Sequence, residues 1–200
     1  MNPDQAKQDK TKSIIDMAFG FSAMTRVFEK GSDRKIIGEL DCSLPKIASS
    51  KYEQDFQKQH DCFCRWFKDE IKTAERKSKN DERVIKPSGP ASYGQGAKVL
   101  DVALKVFVYY CHLPDLETAD RTMKWLYAAI DTKMMKHLKN MKDPEASIIT
   151  ATSIEDVDDE MIYTALQSLV RKDIENRDKS PNKIYPVQWD DIMWRELNRP

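Results

Sequence analysis

Apolar residues recur along most of the chain at steps of three and four, the spacing of one face of a helix. Ile14, Ile15, Met17, Ala18, Phe21, Met24 and Val27 form one such stripe. Phe56, His60, Phe63, Trp66, Phe67 and Ile71 form another, on a helix expected to end in the charged run 72–83. Lys86-Pro87-Ser88-Gly89-Pro90 then breaks the chain, because prolines and a glycine so close together end any helix. Beyond the break, Val99 to Tyr110 is apolar nearly all round, which predicts a helix through the centre of the fold. Pro114-Asp115 interrupts it. Helices are predicted over 116–127 and 132–140, the second closed by Asp143-Pro144. The acidic stretch 155–160 opens a helix reaching residue 174, where negative charge complements the N-terminal dipole. A polar loop over 176–186 leads to a last short helix over 189–197. Strand-like alternation is nearly absent: Ser147 to Thr152 is the single β-branched run, and one strand makes no sheet. The pattern predicts an all-α protein without internal repeats.

Composition narrows the class. The 200 residues carry 33 Lys+Arg against 33 Asp+Glu, with 40% hydrophobic and 33% charged residues, enough apolar material for a core. Six glycines and nine prolines exclude collagen-like or low-complexity chains. No apolar run approaches the ~20 residues of a membrane span, and the polar opening MNPDQAKQDKTKS lacks the apolar stretch of a secretory signal. The expectation is a soluble, cytoplasmic protein. Cys42, Cys62, Cys64 and Cys111 have no zinc, redox or iron–sulfur spacing, so they read as reduced, half-buried thiols, and no metal or cofactor is expected.

Charge is uneven within that neutral total. Arg121, Lys124, Lys133, Lys136, Lys139 and Lys142 face only Asp131 among acids in residues 121–142, and Lys133, Lys136 and His137 share a helix face. Such a face is either simply solvated or turned to phosphates. Two further lysines sit where cations are disfavoured. Lys98 opens the apolar central helix and Lys105 follows two turns along the same face, with Asp101 on the neighbouring row. Either both snorkel to the surface, or desolvation lowers a lysine pKa and makes an amine nucleophile. In front of them stands Gly94-Gln95-Gly96-Ala97-Lys98-Val99-Leu100-Asp101, whose glycines would let a backbone approach a phosphate at a helix N-terminus. The string is neither a Rossmann fingerprint nor a Walker A loop.

This string resembles the hairpin and catalytic lysine of the helix-hairpin-helix DNA glycosylases, the superfamily of the 8-oxoguanine and endonuclease III-type enzymes. The family's lysine attacks the sugar C1′ and a downstream aspartate at a helix N-terminus assists. The matching aspartate is Asp131, in Ala129-Ile130-Asp131-Thr132-Lys133, 33 residues after Lys98. That separation, and the second lysine at Lys105, are similar to the archaeal-type 8-oxoguanine glycosylases. Those enzymes also carry an aspartate and a tryptophan four apart that bind and stack on the base, matched by Asp190 and Trp194. The resemblance covers residues 90–137 and, more thinly, 188–195. It departs at Ala91-Ser92-Tyr93, where the family has Leu-Pro, and at Val102, where the archaeal-type enzymes carry an aromatic stacker. Val102 leaves room for a different or bulkier base. Some bacterial members look like defence enzymes that remove glucosylated hydroxymethylcytosine from phage DNA, and the resemblance of this small, divergent chain extends to them.

The resemblance implies one helical glycosylase-like domain over 1–200, with a cleft between two helical subdomains. Its hairpin and catalytic region would lie at 88–140, and C-terminal helices over 155–197 would close the base pocket. Its implied activity is excision of a flipped, modified or damaged base from double-stranded DNA by a monomer, with Schiff-base chemistry permitting strand cleavage. Lys98 and Asp131 would be catalytic, with Lys105 in support. Asp190, Trp194, Trp66 and Val102 would hold the base, with Phe63 and Trp189 adding aromatic wall. Gly94, Gln95, Gly96, Lys133, Lys136 and His137 would hold the DNA backbone, and Phe19, Gly20 and Phe21 would form a gap-filling loop. Read from its residues alone, Asp131 is equally an ordinary helix N-cap and Trp194 a core residue. Two other enzyme classes fit poorly. No arginine precedes His60, His112 or His137 at the spacing of helical RNase toxins, and three scattered histidines supply no metal cluster. The remaining alternative is a non-catalytic helical module that binds DNA or a protein.

Overall fold

A computed structural model describes residues 3–22, 26–78, 83–177 and 184–198. The chain is all-α: 68% is helical, with a few very short strands. The helices are α1 (Pro3–Phe21), α2 (Ser32–Ala48), α3 (Glu53–Glu70), α4 (Tyr93–Leu104), α5 (Leu116–Met123), α6 (Thr132–Lys139), α7 (Pro144–Ile148), α8 (Glu160–Arg177) and α9 (Pro186–Asn198). The stripe of α1 ends in the described residues at Phe21, and Met24 lies outside them.

The apolar segment does run through the centre. α4 buries Tyr93, Ala97, Val99, Leu100, Ala103 and Leu104 and packs against α1, α2 and α3. It begins earlier than its apolar run, at Tyr93, because Ser92 and Gln95 form a capping box: Ser92 Oγ accepts from the Gln95 amide, and Gln95 Oε1 from the Ser92 amide. After Leu104 the helix widens into a π-helical turn over Lys105–Tyr110, where the Cys111 amide donates to the Val106 carbonyl at 3.0 Å. The acidic stretch forms a 3₁₀ turn, Ile154–Asp156, before α8 starts at Glu160.

One sequence expectation is corrected here. α3 stops at Glu70 instead of continuing into the charged run. Past it burial alternates, Ile71 in, Lys72 out, Thr73 in, a period of two that a helix cannot satisfy. The segment instead forms two short antiparallel pairs, Lys72–Thr73 (β1) with Gly89–Pro90 (β4) and Arg76–Lys77 (β2) with Val84–Lys86 (β3). Lys86 Nζ, 2.5 Å from Glu155 Oε2, ties this ribbon to the 3₁₀ turn. The β-branched run 147–152 contributes no strand; it finishes α7 and continues as coil with Ile149 and Ala151 buried.

Candidate active site

Four separate stretches of chain meet around one cavity of about 450 Å³, a size common to small-molecule sites. α4 and its π turn contribute Lys98, Val102, Lys105, Val106 and Tyr110; the α5–α6 connection contributes Ala129 and Asp131; α9 contributes Asp190, Asp191 and Trp194; and Ser22 follows α1. Six residues singled out from sequence therefore lie together: Lys98, Val102, Lys105, Asp131, Asp190 and Trp194.

Helical spacing explains the α4 wall. Lys98, Val102 and Lys105 are four and three residues apart, so their side chains stack on one face. Continued at that period, Tyr109 would join them. The π turn adds residues to the turn and rotates the next position round, so Tyr110 faces the cavity instead.

The two lysines have different surroundings. Lys105 Nζ lies 2.9 Å from Asp190 Oδ2 and 2.6 Å from Asp191 Oδ1. Burial works against its charge, but the two aspartates outweigh it and hold Lys105 above the ordinary lysine value. Lys98 makes no hydrogen bond or ion pair among the described residues. Burial pushes its ammonium below the ordinary value, with Asp131 and Asp190 pulling the other way. Lys98 is the cavity's amine closest to losing its proton.

Asp131 is the N-cap of α6, and its Oδ1 accepts from the Lys133 and Met134 amides at 2.8 and 2.9 Å. Asp190 is 3% exposed and accepts from Lys105 and, at 3.4 Å, from the Ala129 amide. Burial raises its carboxyl above the usual range despite Lys105. Tyr110 donates to Asp191 at 2.7 Å, and partial burial together with that bond pushes its phenol up to about 12. Tyr110 and Trp194, both lining the cavity, are 53% and 57% exposed.

A buried polar chain positions the wall that carries Asp131. Gln167 clamps Ala128, accepting from its amide at 3.1 Å and donating to its carbonyl at 2.9 Å. Gln167 also donates to the Tyr163 hydroxyl at 3.0 Å, Tyr163 donates to Asp101 Oδ2, and Asp101 Oδ1 lies 2.9 Å from His60 Nε2. His60 Nδ1 lies 3.6 Å from Cys64 Sγ. A thiol, an imidazole and a carboxylate thus stand in the order of a nucleophilic triad, but all are buried and burial pushes the Cys64 thiol up. This thiol has neither access nor activation, and the chain serves to hold α3, α4, α8 and the Ala128 loop together.

The remaining sequence-predicted residues lie elsewhere. Gly94, Gln95 and Gly96 are no hairpin facing a phosphate: they are buried in the first turn of α4. A Cβ at Gly94 would meet the Ile154 carbonyl oxygen at 2.6 Å, and one at Gly96 would meet Phe67 Cβ at 2.7 Å. The glycines therefore allow close helix packing, not close ligand approach. Trp66 packs tilted against Phe63 and edge-on against Phe67 on α3, outside the cavity lining. Trp189 is buried and donates to Asp173 at 2.8 Å, which pins α9 to α8. Phe19 to Phe21 close α1 as helix, with Phe19 in the core, so they form no loop.

On the basic face, Lys133 Nζ holds the Leu197 carbonyl and Asn198 Oδ1, at 3.3 and 2.5 Å. His137 Nε2 sits 3.2 Å from Asp173 and 3.3 Å from Arg177. Lys136 alone of the three is exposed with no partner among the described residues. Tyr110, Asp191 and Ser22 were not foreseen from the sequence; adjacency to Asp190 was the one signal for Asp191, and the π turn hid Tyr110. Among the described residues no group of His, Cys, Asp and Glu could hold a metal ion, and no helix is long and apolar enough to cross a membrane. Compared with known proteins, the chain matches no family model, no curated protein and no solved structure.

Proposed function

We propose that the chain is a DNA glycosylase and that the cavity between α4, α6 and α9 receives a base flipped out of duplex DNA. One observation carries the reading: Lys98, Asp131, Lys105, Asp190 and Trp194, spread over 97 positions of sequence, line a single cavity in which Lys98 is half-buried, without a hydrogen-bond or ion-pair partner among the described residues, and lowered in pKa. In this reading the neutral Lys98 amine attacks C1′, and the C1′–N bond breaks with its electron pair leaving on the base. Asp131 stabilises the developing positive charge on the sugar, as carboxylates do in glycoside hydrolysis, and takes the proton the amine sheds. Opening of the sugar ring leaves a Schiff base, from which β-elimination cleaves the strand. Trp194 stacks on the base, while the Asp190–Lys105 pair meets its polar edge. The volume corresponds to on the order of 15 waters at ~30 Å³ each, room for a base with an added substituent.

Borohydride trapping tests this. The protein is incubated with duplexes carrying an abasic site, 8-oxoguanine or glucosylated hydroxymethylcytosine, reduced, and compared with Lys98→Ala. A covalent adduct that the substitution abolishes is the expected result. Base release revealed by hot alkali without an adduct would assign the attack to water beside Asp131. Neither signal on any duplex would overturn the reading. A non-catalytic binding module is the second reading, favoured by the burial of Gly94 and Gly96 and by the internal engagement of Lys133 and His137. It predicts binding that survives Lys98→Ala and no chemistry in the wild type.

A further inference from the structure

A second hollow, of about 410 Å³, shares no lining residue with the first. It lies where the start of α3, the end of α5, one face of α8 and the start of α9 come together. Trp125, Ile174 and Pro186 are buried and give it apolar surface. Its charged residues are Glu53, Lys124, Arg171 and Glu175, two of each sign, and among the described residues none of the four is in an ion pair. Arg171 is half-buried, yet its guanidinium meets no acceptor among the described residues. Its charge reaches the half-buried Tyr127, whose phenol it pulls down while Glu53 pushes it up. Glu175 stands one turn on from Arg171, the spacing at which a helix offers an ion pair, and the pair is not made. Lys124 Nζ lies 5.4 Å from the centroid of the Trp125 ring, a cation held by an aromatic face and by no carboxylate. A half-buried guanidinium left without an acceptor costs free energy, and its planar fork of donors matches a carboxylate.

The pocket is thus neutral in sum and unsatisfied charge by charge. A small anion would meet Arg171 and Lys124 but bring its charge up to two carboxylates; a small cation would do the reverse. The occupant that satisfies both signs carries both, a carboxylate and an ammonium group close together, with an apolar remainder for Trp125, Ile174 and Pro186. We propose that this pocket binds a free α-amino acid with a bulky apolar side chain. Arg171 donates two parallel N–H bonds to its carboxylate, with Lys124 beside them, and Glu53 and Glu175 take its ammonium group. The volume corresponds to on the order of 14 waters at ~30 Å³ each, room for an amino acid with an aromatic side chain. Nothing in this inference depends on the glycosylase reading of the first cavity.

Calorimetric titration of the protein with L-phenylalanine tests this, beside 3-phenylpropionate, which lacks the ammonium group, phenethylamine, which lacks the carboxylate, glycine, which lacks the apolar part, and inorganic phosphate. Phenylalanine is expected to bind, and each of the others more weakly on the order of tenfold or more. Arg171→Lys keeps the charge and removes the fork, and should weaken phenylalanine by a similar factor. Glu175→Gln should narrow the preference for phenylalanine over 3-phenylpropionate without weakening 3-phenylpropionate itself, a change that a general defect of the wall would not produce. The comparison of ligands on the wild type stands whether or not a variant folds. Binding of 3-phenylpropionate or phosphate as tight as that of phenylalanine overturns the selection for both charges. Phenylalanine binding that neither substitution alters places the ligand elsewhere and overturns the site, as does the absence of any heat with phenylalanine at millimolar concentration.

Discussion

Replacing Gly96 by alanine places a methyl group 2.7 Å from Cβ of Phe67, 2.9 Å from its Cγ and 3.2 Å from its Cδ1. Carbon atoms in contact prefer about 3.5–4.0 Å, so α3 and α4 must separate or Phe67 must leave its rotamer. Phe67 is fully buried and packed edge-on against Phe28 at 5.2 Å, so it has little room to yield. Overpacking of this kind costs about 1–3 kcal/mol, and the better helix propensity of alanine returns about 1 kcal/mol. The net loss should be up to about 2 kcal/mol, which at ~2–4 °C per kcal/mol for a chain of this size lowers Tm by up to roughly 8 °C. Gly94→Ala should be worse, since its methyl meets the Ile154 backbone oxygen at 2.6 Å and Val157 Cβ at 2.6 Å. That residue's amide also donates to the Val157 carbonyl at 2.8 Å, so the contact cannot open without straining a buried bond. Thermal melts of both variants, with duplex affinity measured by fluorescence anisotropy on the same samples, make the comparison. A Gly96→Ala protein that melts at or above the wild-type temperature but loses DNA affinity would refute the packing argument and return the glycines to the nucleic acid.

Lys98→Met removes a half-buried cation that has no partner among the described residues and should raise stability by about 0.5–2 kcal/mol in denaturant melts while abolishing any adduct. The folded pKa of Lys98 lies below its unfolded value, so the unfolded chain binds the extra proton between the two. Wild-type stability relative to Lys98→Met should therefore rise with pH over that interval; a flat difference would contradict the depressed pKa. Adduct formation, which needs the neutral amine, should climb with pH with its inflection below the ordinary lysine value of 10.5, and Asp131→Asn should move the inflection lower because Asp131 favours the protonated form. Tyr163→Phe takes a donor from the buried Asp101 carboxyl and a partner from Gln167, and should cost about 1–3 kcal/mol in urea melts; an unchanged midpoint would show the network to be dispensable. If the protein binds duplex DNA, Lys136→Ala should reduce the slope of log affinity against log salt by about 1, and Lys133→Ala by less, since Lys133 is held by α9.

What could be read from the sequence follows the range of the interactions. The central helix, the N-cap at Asp131 and the placement of α9 were legible because a 3.6-residue period and a single capping side chain encode them locally. The site was legible to the extent that regular helix spacing governs it: Lys98, Val102 and Lys105 needed only that spacing. Tyr110 was not, because the π turn breaks the period between Lys105 and the helix end. The glycines misled for a related reason. Gly-x-Gly ahead of an apolar helix is compatible with a phosphate turn or with a helix packed tightly on a neighbour, and Phe67, Ile154 and Val157, which decide between them, are remote in sequence. The ribbon over 72–90 was hidden in a run of charges, since its pairings join residues up to 18 positions apart and, among its described residues, bury only Thr73. His60 sat in an apolar stripe and was legible only as part of it; its partner Asp101 lies 41 residues away.

The difference between the two cavity lysines is the strongest physical reason to expect chemistry on this face of α4. Both occupy the same stripe two turns apart, and both are desolvated, which acts against their charge equally in sign. Lys105 is rescued by two aspartates from α9, one buried and one half-buried, and becomes a fixed cation that also fixes α9. Lys98 receives only the more distant pull of Asp131 and Asp190 and is left nearer to neutrality. A helix stabilised for its own sake would pair both amines or replace the unpaired one with an apolar residue, because an uncompensated ammonium in such a site costs free energy. Environments that drive two like groups apart in pKa are how one site obtains a permanent charge and a titratable amine at the same pH. Asp190 is where the two roles meet: it holds Lys105 directly and Lys98 through space. Asp190→Asn should therefore lower both lysine pKa values at once, moving the adduct's pH profile down and loosening α9, whereas Asp191→Asn should weaken Lys105 and leave the inflection of Lys98 where it is.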